Sequence, residues 1–419
     1  MPIFLLYCII IIEGDNVKKR TKVIMIIISI LILVIALSII IMTFLNGQKM
    51  VEEEKNITTI VNTKNNFITE VYSKVKLSEL ITIENGTLKN DFYINTSKIG
   101  EIEVKYSYFN NLKKETASSF KIKVLDTEKP YIGLGKSYTH VIGNNFNLES
   151  SVLCGDNYTK KPKCYIMGDY DLEKVGKYQL TFYAEDESGN KNSVNFTLNV
   201  VEKSPNISTT NTSISFEQIK ARLPENASLM VDVSKWQQDI DWQKVHANGI
   251  EYAMLRIGTQ KGVDKESIID AYFEQNIKNA QAAGIKVGVY YYSYANDKND
   301  VLEQAKWVVD TLKDYELDLP VAFDWECWSL FNSFNISFHD LNEIAETFLR
   351  EIEKEGYQPL LYGSKNYMEN IWNLDYDIWL AHYTEKTSYE GPRIMWQFTS
   401  SGKVPGISGN VDVNFYYNK

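Results

Sequence analysis

The chain has 419 residues, a net charge of −10 and a sequence pI near 5.2. A chain of this length has room for roughly two to four domains, each burying its own core. The acidic balance leaves no basic stripe of the kind that phosphate binding requires, so nucleic acid is excluded as the main partner.

The first predicted element is an uncharged apolar run from Val23 to Leu45. About 20 apolar residues cross a hydrocarbon layer as a helix, so we expect a transmembrane helix over residues 23–45. Basic residues at positions 18–22 precede the run and acidic residues at 52–54 follow it. The positive-inside rule then predicts a cytoplasmic N-terminus over 1–22, a single pass through the cell membrane and extracellular C-terminal domains. A cleaved signal peptide is the alternative.

Residues 46–70 are polar and aperiodic, and we expect a stalk there. An internal repeat follows, in which KIGEIEVKYSY at Lys98 matches KVGKYQLTFYA at Lys174, 76 residues later. Both copies show the alternation of a half-buried strand, which predicts all-β sandwiches over 71–126 and 127–202. The second copy, with AEDESGNKNS at Ala184, resembles the immunoglobulin-like modules of bacterial surface proteins. A spacer role and the binding of a wall polymer are both open.

Four cysteines are few for an exported chain. Cys154 and Cys164 flank a short polar loop, and outside the cell such a pair can close a disulfide, with two reduced thiols as the alternative. There is no Cys/His spacing for zinc, so no metal and no cofactor are expected.

Residues 203–227 are predicted to form a linker with a short helix at Phe216–Arg222. Short β runs then alternate with amphipathic helical stretches, and helices thin out towards the C-terminus. Strands are predicted at Leu229–Ser234, Tyr252–Thr259, Val287–Ala295, Leu319–Glu326, Pro359–Ser364, Ile378–Tyr383, Ile394–Thr399 and Val411–Tyr416. This pattern predicts an α/β fold, an irregular TIM-like β/α barrel over 228–419.

Two local patterns place helices within this region. One helical face is formed by Ile269, Tyr272, Phe273, Ile277 and Ala280. A capping box of Ser337 and Asp340 predicts the start of a second helix that runs to Glu355.

Four carboxylates end predicted strands of the barrel: Asp232, Asp324, Glu326 and Asp412. A charged side chain at the end of an apolar strand is costly unless it faces a cleft, and the carboxyl ends of barrel strands meet at one face. Cleavage of a glycosidic bond needs one acid to protonate the leaving oxygen and another to stabilise the positive charge on the sugar. The pattern therefore indicates sugar chemistry.

Asp324 and Glu326 are two residues apart on one strand, so their side chains point the same way, about 6.6 Å apart along the backbone. Carboxylates so close do not both ionise cheaply. We expect the more buried one to keep its proton towards neutral pH and to act as the acid.

The segments VDVSKWQ at Val231, AMLRIG at Ala253, GVYYYSYA at Gly288, DWE at Asp324, and WLAHY and MWQFTS further on resemble the family 25 glycoside hydrolases, the muramidase-type lysozymes. The resemblance covers about residues 228–418. It implies hydrolysis of the β-1,4 bond between N-acetylmuramic acid and N-acetylglucosamine in peptidoglycan. It also implies that Glu326 is the general acid, supported by the other three carboxylates.

Aromatic rings stack on the apolar faces of sugars, so rings near strand ends are candidates for substrate binding, with core packing as the alternative for each. Gln397 is a candidate donor to the acetamido group, and Arg256 is more often a partner of a barrel carboxylate. The candidate substrate-binding residues are Tyr290, Tyr292, Trp325, Trp379, Tyr383, Trp396, Gln397 and Arg256.

The expected partners are peptidoglycan glycan strands and, through the N-terminal helix, a membrane.

The offset of Asp324 from Glu326 exceeds the roughly 5–5.5 Å between the two carboxyl groups of retaining enzymes, so direct attack by Asp324 is disfavoured. Attack by the substrate's own acetamido oxygen is the alternative, with Asp324 or Asp412 holding the amide N–H. The rival hypothesis is a wall-binding or adhesive protein whose barrel does not cleave.

Overall fold

The computed structural model describes residues 15–56, 58–145, 147–204, 213–263 and 265–417. The chain forms two compact units, Met1–Asp126 and Thr127–Lys419, and each is described by itself. Of the segment predicted to be cytoplasmic, residues 1–22, positions 1–14 lie outside the described residues.

The N-terminal unit begins with helix α1, Asp15–Asn56. Within its stretch Arg20–Glu52 an 18-residue window has a mean hydropathy of 3.5 and is not buried against the rest of the chain. At about 1.5 Å per residue this stretch is long enough to cross a hydrocarbon layer. The expected stalk over 46–70 is wrong, because the helix continues to Asn56 and two strands follow before residue 71. Ladder hydrogen bonds are made by the backbone, so polar residues enter these strands without an apolar pattern.

Two β repeats follow the helix, each with six strands and one short helix. The first contains β1 (Ile60–Thr63), β2 (Phe67–Glu70), α2 (Leu77–Leu80), β3 (Ile81–Glu84), β4 (Thr87–Leu88), β5 (Gly100–Phe109) and β6 (Glu115–Leu125). The second contains β7 (Tyr131–Gly133), β8 (Ser137–Val141), α3 (Leu148–Ser151), β9 (Leu153–Gly155), β10 (Lys163–Met167), β11 (Gly176–Glu185) and β12 (Lys191–Val201).

The two repeats have the same strand order. Each has a four-stranded sheet, β2-β6-β5-β4 or β8-β12-β11-β10, and a two-stranded sheet, β1-β3 or β7-β9. The outer strands β2 and β8 run parallel to their partners β6 and β12. The internal repeat is therefore confirmed, although a four-stranded and a two-stranded sheet replace the expected pair of full sheets. The expected disulfide between Cys154 and Cys164 is present and links β9 to β10.

The rest of the second unit is an α/β domain. Its elements are α4 (Phe216–Ala221), β13 (Ser228–Val233), a 3-10 turn (Lys235–Gln237), α5 (Trp242–Ala247), β14 (Tyr252–Gln260), β15 (Ser267–Ile269), α6 (Phe273–Ala282), β16 (Lys286–Ser293), α7 (Lys298–Leu312), β17 (Val321–Trp325), α8 (Trp328–Phe331), α9 (Phe338–Lys354), β18 (Pro359–Ser364), α10 (Lys365–Asn370), β19 (Asp377–Ala381), β20 (Met395–Gly402) and β21 (Val411–Tyr416).

Eight of these strands close into a ring, because β13 pairs both with β14 and with β21. Seven run parallel, and β21 is antiparallel to both of its neighbours. Strand alternation divides the side chains into an inner layer, which includes Met254, Tyr290 and Trp379, and an outer layer beneath the helices, which includes Leu255 and Phe323. All seven parallel strands therefore end at one face of the ring.

Most local predictions hold in this domain. The capping box of Ser337 and Asp340 begins α9, and α4 forms inside the expected linker and packs on the barrel core through Phe216 and Ile219. The predicted helical face over 269–280 is wrong at its start. Ile269 ends strand β15, which pairs with β14, and the helix begins only at Phe273.

Gly288 leaves the space that Met254 and Leu319 fill inside the ring, since a Cβ at Gly288 would lie 2.7 Å from atoms of both. We expect Gly288→Ala to lower the free energy of unfolding by about 1–3 kcal/mol, because a packed core accommodates an added methyl only by strain. Urea denaturation measures this change. Gly135→Ala is the matched control, since its nearest neighbours lie 3.9 Å from the new methyl. Equal stability of the two variants would contradict the packing argument.

Candidate active site

The four predicted carboxylates meet at the face where the parallel strands end. Asp232 lies on β13 and Asp324 on β17, with side chains only 5% and 4% exposed, and Glu326 follows β17 directly. Asp412 on β21 is the register partner of Asp232, so the two side chains share one face of the sheet. The strand-end pattern in the sequence thus assembles one acidic cluster.

Asp232 is held by two amide groups. Its Oδ2 accepts hydrogen bonds from Gln397 Nε2 at 3.0 Å and from Asn414 Nδ2 at 2.7 Å. Burial raises the pKa of Asp232 to about 6, and the negative charge of Glu326 adds to this, while the two amide donors oppose it. Asp232 is therefore ionised at neutral pH.

The orientation of both amides is fixed by a second row of hydrogen bonds. Gln397 Oε1 accepts from the hydroxyls of Tyr362 and Tyr383, each at 2.9 Å. Asn414 Oδ1 accepts from Trp379 Nε1 at 2.7 Å. With their oxygens occupied, both amides present N–H groups to Asp232. Gln397, expected to contact the acetamido group, instead supports this carboxylate.

The carboxyl groups of Asp324 and Glu326 both have raised pKa values. Burial raises the pKa of Asp324 well above its usual range, and the charges of Glu326 and Asp232 raise it further, while Arg256 opposes the shift. Burial also raises the pKa of Glu326, and a hydrogen bond from Asp324 opposes this. Asp324 therefore holds the proton and donates it in a hydrogen bond to Glu326. The more buried acid is Asp324, whereas Glu326 is the member of the pair that is open to solvent.

Asp412 completes the cluster at its edge. Burial raises its pKa to about 8, and the charges of Asp232 and Glu326 add to the shift. At neutral pH the cluster therefore combines an ionised Asp232 with protonated carboxyls at Asp324 and Asp412.

Three of the predicted tyrosines lie around these acids. Burial raises the pKa of each hydroxyl, and the charge of a cluster member adds to it: Asp232 for Tyr290, Glu326 for Tyr292 and Asp412 for Tyr383. Tyr383 is 56% exposed, so its ring is available at the rim of the site.

The three predicted tryptophans are core residues and do not line the cleft. Trp325 points to the outer layer because its neighbours Asp324 and Glu326 point inward, and its Nε1 donates to the Ala295 carbonyl at 2.8 Å. Trp396 also lies in the outer layer, with its Nε1 on the His382 carbonyl. Trp379 is inside the ring but only 1% exposed.

Arg256 pairs with a barrel carboxylate, as expected. Its guanidinium binds Asp270 Oδ2 with contacts of 2.6 and 2.8 Å. The sequence did not predict Asp270, Tyr362 or Asn414 as site residues. Asn414 could have been predicted from strand alternation, since it lies two residues from Asp412 and shares its face of β21.

Comparison with known proteins gives one family. Glycosyl hydrolases family 25 matches residues 231–407. The protein YegX of Escherichia coli O157:H7 is 30% identical over 195 residues, which are 44% of this chain and 68% of YegX. The autolytic lysozyme of Clostridium acetobutylicum is 24% identical over 188 residues, which are 44% of this chain and 54% of that enzyme. The solved modular autolysin LytC from Streptococcus pneumoniae is 25% identical with a TM-score of 0.41, over 57% of this chain and 56% of LytC.

The raised carboxyl pKa values make the stability of this unit depend on pH. A carboxyl whose folded pKa exceeds its unfolded value stabilises the fold below the unfolded pKa, and that contribution is lost as pH rises through the folded pKa. The values of about 6 for Asp232 and about 8 for Asp412 place the loss between weakly acidic and weakly basic pH. We expect Tm to fall across this range, and Asp412→Asn to flatten the fall above neutrality. Calorimetry at a series of pH values measures it, and an unchanged slope in the variant would refute the assignment.

Proposed function

This chain belongs to family 25 of the glycosyl hydrolases and is a glycoside hydrolase of the lysozyme type, and we propose that its barrel is a muramidase. The bond cleaved is the β-1,4 linkage between N-acetylmuramic acid and N-acetylglucosamine in peptidoglycan. The names of two relatives, the autolytic lysozyme of Clostridium acetobutylicum and lysozyme M1 of Streptomyces globisporus, support this substrate.

One observation carries the proposal: four carboxyls share one cluster, yet their burial and their hydrogen-bond donors differ. Asp324 is a buried acid that keeps its proton, and Asp232 is a buried carboxylate that two amides keep ionised. Glycosidic cleavage needs both states at once, a proton for the leaving oxygen and a negative charge near the sugar.

We assign the roles from exposure. Glu326 is open to the cleft and accepts a hydrogen bond from the protonated Asp324, so that proton moves to Glu326 and from Glu326 to the leaving oxygen, and Asp324 is left ionised. Because Asp324 holds the proton until the glycosidic bond breaks, it is a poor nucleophile, which supports attack on the anomeric carbon by the substrate's acetamido oxygen. Asp232 stabilises the positive charge that develops, and Asp412 lies opposite it to hold the amide N–H. Tyr290, Tyr292 and Tyr383 are the rings that surround the bound sugar.

The same proposal extends to the whole chain. The barrel is an irregular member of the TIM-like β/α class over 228–419, and the repeats over 71–126 and 127–202 are immunoglobulin-like. Their identical strand order supports a common module. Residues 23–45 anchor the protein in the cell membrane by a single pass, with the catalytic domain outside. The uniform apolarity of α1 supports the anchor.

Glu326→Gln keeps the shape of the side chain but cannot carry a proton to the leaving oxygen, so turnover on purified peptidoglycan should fall by about 10²-fold or more. Analysis of the released fragments measures it, since the new reducing end identifies the bond that was cut. Asp239→Asn is the matched control, because Asp239 is exposed and Gln275 is the one side-chain hydrogen-bond partner seen for it among the described residues.

Two outcomes would overturn parts of this proposal. Near-full activity of a folded Glu326→Gln variant would move the acid role to Asp324 or Asp412. A wild-type chain that binds peptidoglycan without cutting it would instead support the rival, an adhesive protein with an inactive barrel.

The anchor predicts a topology. Protease added to intact cells should release a fragment that contains the barrel, because everything after α1 lies outside, and the membrane fraction should keep the N-terminal helix. Antibodies against each part measure the two products. Full-length protein in the culture medium, or a barrel that resists protease until cells are opened, would contradict it.

A further inference from the structure

The second β repeat lies against the barrel at the segment that follows Glu326. Both belong to the unit Thr127–Lys419. The contact is made by strand β9 and the residues just after it on one side, and by α8 and the first turn of α9 on the other. Leu153 of β9 is buried in the core of the barrel rather than in that of its own repeat.

Asn332, at the end of α8, binds the backbone of the repeat on both sides of Leu153. Its Nδ2 donates to the Val152 carbonyl at 2.6 Å, and its Oδ1 accepts from the Cys154 N–H at 3.1 Å. The amide thus satisfies one acceptor and one donor of the strand edge, as a neighbouring strand would. These partners are 178 and 180 residues away in sequence.

Backbone contacts continue along the same edge. The Phe338 N–H donates to the Asp156 carbonyl at 2.7 Å, and the His339 N–H donates to the Asn157 carbonyl at 3.2 Å. Gly155 lies so close to the barrel that a Cβ there would meet Phe338 at 2.5 Å and Phe331 at 2.7 Å. At this point the backbone of the repeat therefore packs directly against phenylalanine side chains of the barrel domain.

The clamped segment is short and leads directly to the acid. Asn332 is six residues from Glu326, and α8 fills most of that interval. Within α8, Trp328 packs against Trp325 with ring centres 4.8 Å apart, and it stacks on Tyr367 at 3.7 Å. A shift of α8 would therefore move the residues on both sides of Glu326.

We propose that the second β repeat is a positioning element of the active site, and that Asn332 is the positioning residue through which it holds the segment carrying Glu326. This role rests on the proposed muramidase function. The repeat then contributes to the geometry of the active site and does not act only as a spacer. Asn332 contacts no reacting atom and acts only through α8.

Two consequences separate positioning from simple stabilisation. A displacement of about 1 Å in a catalytic group costs about 10²-fold in rate, so loosening α8 should lower kcat more than it changes KM. Loosening also hydrates further the Glu326 carboxyl, which is open to the cleft on one side but whose pKa is raised mainly by burial. Hydration lowers that pKa, so the alkaline limb of the activity profile should move to lower pH.

The test compares three variants in the full chain. Asn332→Ala removes both hydrogen bonds, and we expect a fall in kcat of about 10-fold with little change in KM and an alkaline limb at lower pH. Asn332→Asp keeps the acceptor for Cys154 but sets a carboxylate oxygen against the Val152 carbonyl, so its kcat should fall at least as far as that of Asn332→Ala. Asn335→Ala is the matched control, an exposed asparagine three residues away for which no side-chain hydrogen bond is seen among the described residues.

Hydrogen exchange of residues 327–334 provides a readout independent of catalysis. Exchange there should be faster in Asn332→Ala than in Asn335→Ala. The proposal would be overturned if Asn332→Ala had the kcat, pH profile and exchange rates of the wild type. It would also be overturned if the variant had a lower Tm while kcat, the pH profile and exchange stayed unchanged. An inactive wild-type chain would refute the muramidase function instead, and the exchange rates would still decide whether the repeat holds this segment.

Discussion

Four carboxyl groups that share the interior of one strand ring repel one another, and this repulsion governs the arrangement of the site. Each additional negative charge in a buried cluster raises the pKa of its neighbours, so charge collects where donors are available. Asp232 has two amide donors and remains ionised near neutral pH, whereas among the described residues no amide donor to Asp324 is seen, and that carboxyl keeps its proton. The distribution of hydrogen-bond donors thus determines which acid carries the charge.

The donors are themselves held by the barrel. Gln397 and Asn414 present N–H groups to Asp232 because Tyr362, Tyr383 and Trp379 occupy their oxygens. A flipped amide would bring an oxygen to the carboxylate and leave a buried indole N–H without its acceptor. Each such loss costs about 1–3 kcal/mol, so the amides are fixed in the orientation that supports the charge. Core packing and electrostatics here depend on the same side chains.

Local patterns in the sequence predict the strands of the barrel and the four acids, because alternation and strand-end charge are visible within a few residues. The same alternation would have excluded Trp325 from the cleft, since the acids on either side of it point inward. Asn414 and Tyr362 were missed for a different reason. Their partners lie 182 and 35 residues away in sequence, so alternation could place Asn414 on the face of Asp412, but no local pattern shows which residue either side chain bonds. The stalk was wrong because β1 pairs with β3, and β2 with β6, through backbone hydrogen bonds that need no apolar pattern.

The contact between the second repeat and α8 belongs to this long-range class, and it changes how the chain divides into parts. An inert spacer needs no close contact with the domain it carries, and a glycine is not required where two domains merely adjoin. Here Gly155 admits no side chain, Leu153 is buried in the barrel core, and Asn332 replaces a strand partner. Ordering these groups costs conformational entropy, which only a persistent contact offsets. The repeat and the barrel are therefore best regarded as one folded unit whose interface lies beside Glu326, the proposed general acid.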